Sequence, residues 1–192
     1  MFSAPETLKQ SDWTFMPSFR SLTIATGLIA FSGLRAQQPF PSKQGGSAPA
    51  GETVGGISCD AQEGQRIHIH QHLVIFDHGK QVDIPRNVGQ PSARPCIYWL
   101  HTHTPDGIIH IEAPKDRSFT LADFFLVWGQ PLTKSGAAAA KLAKGESMKV
   151  WVDGKPFAGD PRAIPLHPHT DVVIMVGPPF LAPPRFTNWG QL

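Results

Sequence analysis

The chain has 192 residues, of which 41% are hydrophobic and 17% charged, a composition that suits one globular domain with additional tails. The formal net charge is only +2 and no basic stripe stands out, which argues against nucleic acid as a partner. Nine histidines are present, and seven of them lie between His68 and His110, so the histidines are the first candidates for function.

The first 36 residues resemble an export signal. An apolar segment, Ser21–Leu34, follows Arg20, and a loose cleavage motif ends at Ala36. The segment is short for a membrane span, and the chain could start at either Met1 or Met16. We therefore expect residues 1–36 to be a signal peptide and the protein to be exported, to the periplasm or beyond, meeting a membrane only during export. The alternative is a buried apolar helix.

Residues 37–56 are predicted to be a flexible linker, because they are rich in Gly, Pro, Ser and Gln. A single domain is then expected over residues 57–192. It contains the only two cysteines, Cys59 and Cys96. In an oxidising compartment such a pair predicts a disulfide, and the alternative is that one thiolate is a metal ligand.

A strand is predicted over Arg66–Phe76, because apolar and polar residues alternate there with period two. One face carries isoleucines and Leu73, which predicts that this face is buried. The histidines of the other face are His68, His70 and His72. Asp77–Lys80 predicts a hairpin turn that leads into a short strand over Gln81–Ile84.

Two more strands are predicted at Cys96–His103 and Ile108–Glu112, and the turn between them has two possible registers. With a two-residue loop, His101 faces His110. One face then carries His101, His103, His110 and Glu112. With a three-residue loop that ends in a bulge at Gly107, His110 and Glu112 move to the opposite face. Gly after Pro-Asp favours this second register.

A helix is predicted between Thr120 and Gly129, because an apolar stripe with helical spacing lies between a capping residue and a glycine. The stripe consists of Leu121, Phe124, Phe125 and Trp128. Ser135–Lys144, which contains an alanine run, is predicted to be a short surface helix or a loop. A further hairpin and a final strand are predicted at Lys149–Val152, Lys155–Phe157 and Asp171–Val176. The proline-rich remainder is expected to run extended over the sheet.

This order of elements predicts an α+β domain. We expect a mixed or antiparallel sheet of several hairpins with one main helix packed on it, and a β-grasp-like arrangement fits the order.

Alternate residues of a strand point to one face, so the His-x-His pairs can direct neighbouring imidazoles toward one ion. Neutral imidazole is a common ligand of zinc and copper, and we expect a site for one of these metals. The candidate ligands are His101, His103, His110, Glu112, His68, His70 and His72. His101 and His103 form the core pair. A third pair, His167 and His169, flanks Pro168 and is expected in a loop that is a lesser source of ligands.

The main functional expectation is an exported, non-enzymatic metal-binding protein. Glu112 lies nine residues beyond His103, across a turn, which departs from the histidine–glutamate spacing of cupins. No GxSxG, HExxH, glycine-rich phosphate loop or CxxC motif occurs in the chain. Two alternatives stay open: a metal-dependent enzyme with an open coordination position, and an adhesion or assembly module whose histidines bind no ion.

Several segments together resemble an uncharacterised family of exported bacterial domains. They are HIHQHLVIF with the glycine turn that follows it, CIYWLHTHTPDGIIHIEAP, FTLADFFLVWGQPL and VDGKPFAGDPRAIPLHPHTDVVIMVG. The likeness covers most of Cys59–Pro179, and its most specific part is the LHTH…GIIHIE block. The resemblance implies an exported single domain and no particular activity.

Overall fold

A seven-stranded mixed sheet forms the body of the domain in the computed structural model, which describes residues 49–192. The predicted signal peptide and most of the predicted linker lie outside these residues. In chain order the elements are β1 (Cys59–Asp60), β2 (Ile67–Asp77), β3 (Lys80–Val82), β4 (Ile97–Tyr98), β5 (Leu100–His101), β6 (Ile108–Ala113), α1 (Leu121–Trp128), β7 (Leu132–Thr133), β8 (Gly136–Ala137), β9 (Ala140–Lys141), β10 (Met148–Val152), β11 (Lys155–Phe157) and β12 (Asp171–Val176). The described part is mainly β with one α-helix, which is compatible with the α+β expectation.

The strand order of the main sheet is β11-β10-β12-β2-β6-β5, and β3 pairs with the end of β2. The central pair, β2 and β12, is parallel, and every other pairing in this sheet is antiparallel. Of the two predicted sheet types, the mixed one is therefore correct. The predicted hairpins β2–β3 and β10–β11 are both present.

Helix α1 and the isoleucine face of β2 belong to one hydrophobic core. Burial drives this packing, because Phe124 and Phe125 are almost fully removed from solvent. The predicted start of the helix is confirmed, since Asp123 accepts a hydrogen bond from the backbone of Thr120 at 2.8 Å. The predicted end is confirmed by Gly129, whose φ of 71° closes the last turn. None of the helical segments in residues 49–192 has the length and apolarity to cross a membrane.

The proline-rich tail covers apolar side chains that point away from this core. Phe180 packs against a second, smaller cluster that contains Val74, Val173 and Met175. The Nζ atom of Lys149 lies 4.3 Å from the centre of the Phe180 ring. These contacts agree with a tail that runs over the sheet.

The alanine run does not form the predicted surface helix or loop. Residues 132–141 form a small meander of β7, β8 and β9 instead. Ala137, Ala138 and Ala140 are buried in the main core. Tertiary packing overrides the helix propensity of alanine here, because small side chains let this backbone lie close against the core.

The predicted strand Cys96–His103 is interrupted after Tyr98. Its first part, β4, pairs with β1 beside the disulfide, whereas its second part, β5, pairs with β6 in the main sheet. The chain therefore changes partner at Trp99, whose indole donates a hydrogen bond to Asp60 at 2.7 Å.

Candidate metal centre

Three neighbouring strands bring the histidines together on the sheet. His110 of β6 lies opposite His70 of β2 on one side and opposite His101 of β5 on the other. In the next row, Glu112 of β6 lies opposite His68. The central strand β6 therefore places one imidazole and one carboxyl between the histidines of its two neighbours.

The register of the β5–β6 turn differs from the one that the sequence favoured. His101 pairs with His110, so His110 and Glu112 share a face with His101. The pairing of β5 with β6 ends at His101 and His110, and Gly107 of the connecting loop lies directly against β2. Its carbonyl accepts a hydrogen bond from the backbone of Leu73 at 3.0 Å, and a Cβ atom at this position would collide with that strand.

Four ligand-type side chains converge on the β5 side. One ligand atom from each of His101, His103, His110 and Glu112 lies within 4.8 Å of the others. The Nε2 atoms of His101 and His103 are 3.2 Å apart, and Nδ1 of His110 is 3.5 Å from Glu112 Oε1. Ligands at zinc–nitrogen and zinc–oxygen distances in a tetrahedron lie about 3.4 Å apart, so these separations fit one ion.

A second set of four lies on the β2 side. It consists of His68, His70, His110 and Glu112, again with one ligand atom each within 4.8 Å of the others. His110 and Glu112 belong to both sets. His68 Nε2 is 3.2 Å from Glu112 Oε1, and the rings of His70 and His110 meet edge to face with centres 4.5 Å apart.

A chain of hydrogen bonds orients the two core imidazoles. Nδ1 of His101 lies 2.9 Å from the carbonyl oxygen of Tyr98, to which it can only donate, so Nε2 of a neutral His101 carries a lone pair. The Gln90 amide, which also donates to Thr102, donates to Nδ1 of His103 at 3.3 Å. In the metal-free protein His103 is then the Nε2–H tautomer and donates to His101.

His110 has no such arrangement. Its Nδ1 atom is buried and lacks a hydrogen-bond partner within the described residues, and the nearest carboxylate oxygen is that of Glu112 at 3.5 Å. A buried polar atom without a partner is costly, and a metal ion would satisfy this one.

Burial also sets the protonation of the site. Burial, with a smaller contribution from the neighbouring histidines, lowers the pKa of His101 to about 4 and that of His110 to about 3. The pKa of Glu112 is raised to about 7, first by burial and then by the negative charge of Glu63. The two imidazoles are therefore neutral at pH 7, which is the form that binds metals.

Glu63 is a site residue that the sequence analysis missed. Its Oε1 atom lies 3.6 Å from Nε2 of His103 and 3.8 Å from Nε2 of His101. The residue lies between β1 and β2, in a segment without a motif, so no sequence signal marked it. The Cys59–Cys96 disulfide is confirmed, and it joins β1 to the chain just before β4. The backbone N–H of Gly64, the residue after Glu63, donates a hydrogen bond to the backbone carbonyl of Glu112 at 3.3 Å.

The remaining histidines lie outside both sets. His72 contacts Asp171, its partner in β12, with its Nδ1 atom 2.9 Å from the carboxylate, and its ring stacks on Phe186 of the tail. His169 stacks on Trp189. His167, with an exposed side chain, lies in a turn closed by Thr170.

Comparison with known proteins adds no assignment, because no family model, curated protein or solved structure matches the chain.

Proposed function

We propose that the protein binds a transition-metal ion, copper or zinc, through His101, His103, His110 and Glu112. The observation that carries the proposal is the convergence of these four side chains, each with one ligand atom within 4.8 Å of the others. Three imidazoles and one carboxylate suit both metals. The sequence analysis named these four residues among seven candidate ligands, and the convergence of their side chains supports this choice within that set.

Two further features support the proposal. The buried Nδ1 of His110 needs a partner, and Glu112 Oε1 is the nearest acceptor to it. The hydrogen bond from His101 to the Tyr98 carbonyl holds the imidazole with its lone pair toward His103, as outer-shell partners of metal-binding histidines do. His103 can join the ion once its proton moves from Nε2 to Nδ1.

The test is a titration of untagged protein with Cu²⁺ and Zn²⁺ by calorimetry, together with metal analysis of the protein as purified. We expect tight binding of at least one metal. The double variant His101→Gln, His103→Gln should lose it while circular dichroism shows an unchanged fold, because strand pairing uses backbone groups. His167→Gln is the matched control and should bind like the parent, since His167 lies outside the site.

If the parent binds neither metal above background, the proposal fails and the histidines are polar positions on a sheet. An adhesion or assembly module would then be the better hypothesis. If the double variant binds as the parent does, the ion lies elsewhere.

A metal-dependent enzyme is the second candidate, and one observation favours it. The His103 side chain is 43% exposed and Glu63 is 48% exposed, so one side of the site is open to solvent. An enzyme needs such an open coordination position. Added azide or cyanide should then shift the visible spectrum of the Co²⁺-loaded protein. An unchanged spectrum would favour a closed, non-enzymatic site.

We also propose export and membership of the exported bacterial family that the sequence resembles. The disulfide supports export, because such bonds persist in oxidising compartments. For the fold we propose a β-grasp-like domain. The adjacent parallel strands β2 and β12 and the helix between β6 and β10 support it.

A further inference from the structure

We infer that the site holds two metal ions, bridged by the carboxylate of Glu112. This inference rests on the proposed function and extends it to a second ion, bound on the β2 side of the site. Glu112 belongs to both sets of converging ligands, and its strand lies between the two strands that carry the other histidines.

The two oxygens of Glu112 face different histidines. Oε1 lies 3.2 Å from Nε2 of His68 and 3.5 Å from Nδ1 of His110. Oε2 lies 4.0 Å from Nε2 of His101, on the other side. A carboxylate whose oxygens point to two separate groups of nitrogens has the orientation of a bridging ligand in a two-metal site.

The β2 side offers a full ligand set of its own. Three imidazoles lie beside the Glu112 carboxylate there, those of His68, His70 and His110. His70 is only 7% exposed, and its ring has no hydrogen bond to any residue in the range 49–192; its contacts are with the rings of His68 and His110. The buried ring nitrogen without a hydrogen-bond partner on this side, within residues 49–192, is Nδ1 of His110, and an ion bound there would satisfy it.

His110 can use its Nδ1 atom for one ion only, and that atom faces the same oxygen as His68. When both ions are bound, we therefore assign His110 to the β2-side ion, whereas a single ion on the β5 side can use it as proposed above. On the β5 side Glu63 takes its place, since its Oε1 atom lies within 4 Å of the Nε2 atoms of both His101 and His103. Each ion then has four protein ligands, and Glu63 and Glu112 supply two negative charges.

The exposed ends of the site can accept hydroxide or another anion that balances the remaining charge. The His68 side chain is 62% exposed and that of His103 is 43% exposed, one at each end. The core of the centre, which comprises His70, His101 and Glu112, is buried.

The test is the copper stoichiometry of untagged, full-length protein, measured by elemental analysis after gel filtration from excess Cu²⁺. We expect two ions per chain in the parent. The variant His68→Gln, His70→Phe should retain one ion, and so should the variant Glu63→Gln, His103→Gln. His72→Gln is the control on the same strand and should retain two, because His72 belongs to neither set.

Electron paramagnetic resonance gives the second readout. Two Cu²⁺ ions on one carboxylate couple, so the parent should show less signal than its copper content predicts. Each variant that retains one ion should show its full signal.

One ion in the parent, lost from the variant Glu63→Gln, His103→Gln but retained in the variant His68→Gln, His70→Phe, would overturn the bridge and leave the proposed function intact. One ion lost from both variants would overturn both the bridge and the proposed ligand set. Two uncoupled ions would overturn the bridge as well. No bound ion at all would overturn the proposed function together with this inference.

Discussion

At the scale of single residues, Gln90 determines which nitrogen of His103 carries the proton. Its amide donates to the carbonyl of Thr102 at 3.1 Å, which fixes its orientation, and its second N–H points at His103. The amide therefore stabilises the tautomer that cannot bind an ion through Nε2. Metal binding must break this hydrogen bond of 3.3 Å.

We predict that Gln90→Met raises metal affinity. The variant keeps the length of the side chain but removes the donor, so His103 can protonate Nδ1 without losing a partner. A hydrogen bond of this kind contributes about 0.5–1.5 kcal/mol, which corresponds to roughly a 2- to 12-fold gain in affinity. Competition with a coloured chelator measures it. Weaker binding than in the parent would mean that Gln90 holds the ring in its binding position.

At the scale of elements, strand β6 supplies metal ligands and helix α1 stabilises the core. Strand β6 lies between β2 and β5 and supplies the two residues common to both ligand sets. Helix α1 contributes no ligand to either set and instead buries its aromatic side chains in the core. Substitutions in the helix should therefore change stability, with metal binding unchanged in the folded protein.

Phe125→Ala should reduce the free energy of unfolding by about 3–5 kcal/mol, because the ring is buried and its removal leaves a cavity. Urea denaturation of the oxidised protein measures this loss. Leu126→Ala on the same helix is the control and should cost less, since Leu126 is only partly buried. A loss below about 1 kcal/mol for Phe125→Ala would contradict the packing of this face.

At the scale of the whole molecule, the disulfide joins the two ends of a long segment that includes β2 and β3. The bonded cysteines are separated by 37 positions. Glu63 lies four residues after Cys59, so the bond anchors the chain that carries this carboxylate close to the histidines.

Reduction of this bond should lower the free energy of unfolding by about 3–4 kcal/mol, because it releases the closed loop in the unfolded chain. Urea denaturation with and without reductant gives the difference. The variant Cys59→Ala, Cys96→Ala should not respond to reductant. A parent whose stability is equal in both conditions would show that the loop constraint contributes little.

The metal-free protein should become less stable as the pH falls from 6.5 toward 4. In this range unfolded histidines take up protons, while burial keeps His101 and His110 neutral, so protons favour the unfolded chain. Glu112 opposes the trend, because its pKa is raised and its folded form binds a proton more readily. The stability lost through the two histidines exceeds the stability gained through the one carboxyl, so the net change is a loss.

Urea midpoints at several pH values in the presence of a chelator test this dependence. Glu112→Gln should make the loss of stability on acidification steeper, because it removes the opposing group. Stability that is constant or rises between pH 6.5 and 4 would contradict neutral, buried histidines.

The sequence by itself determined the local elements. Alternation predicted β2, the apolar stripe and its capping residues predicted α1, and Asp-Gly marked the β10–β11 turn, since each signal depends on neighbours along the chain. The disulfide could also be predicted, because the chain has only two cysteines and hence one possible pairing. Contacts between distant segments decided the rest. Pairing with both β2 and β5 fixes the register of β6, core packing holds the alanine run in a meander, and Asp171 contacts His72. Glu63 belongs to this second group, because only the folded chain brings that carboxylate within 4 Å of the imidazoles.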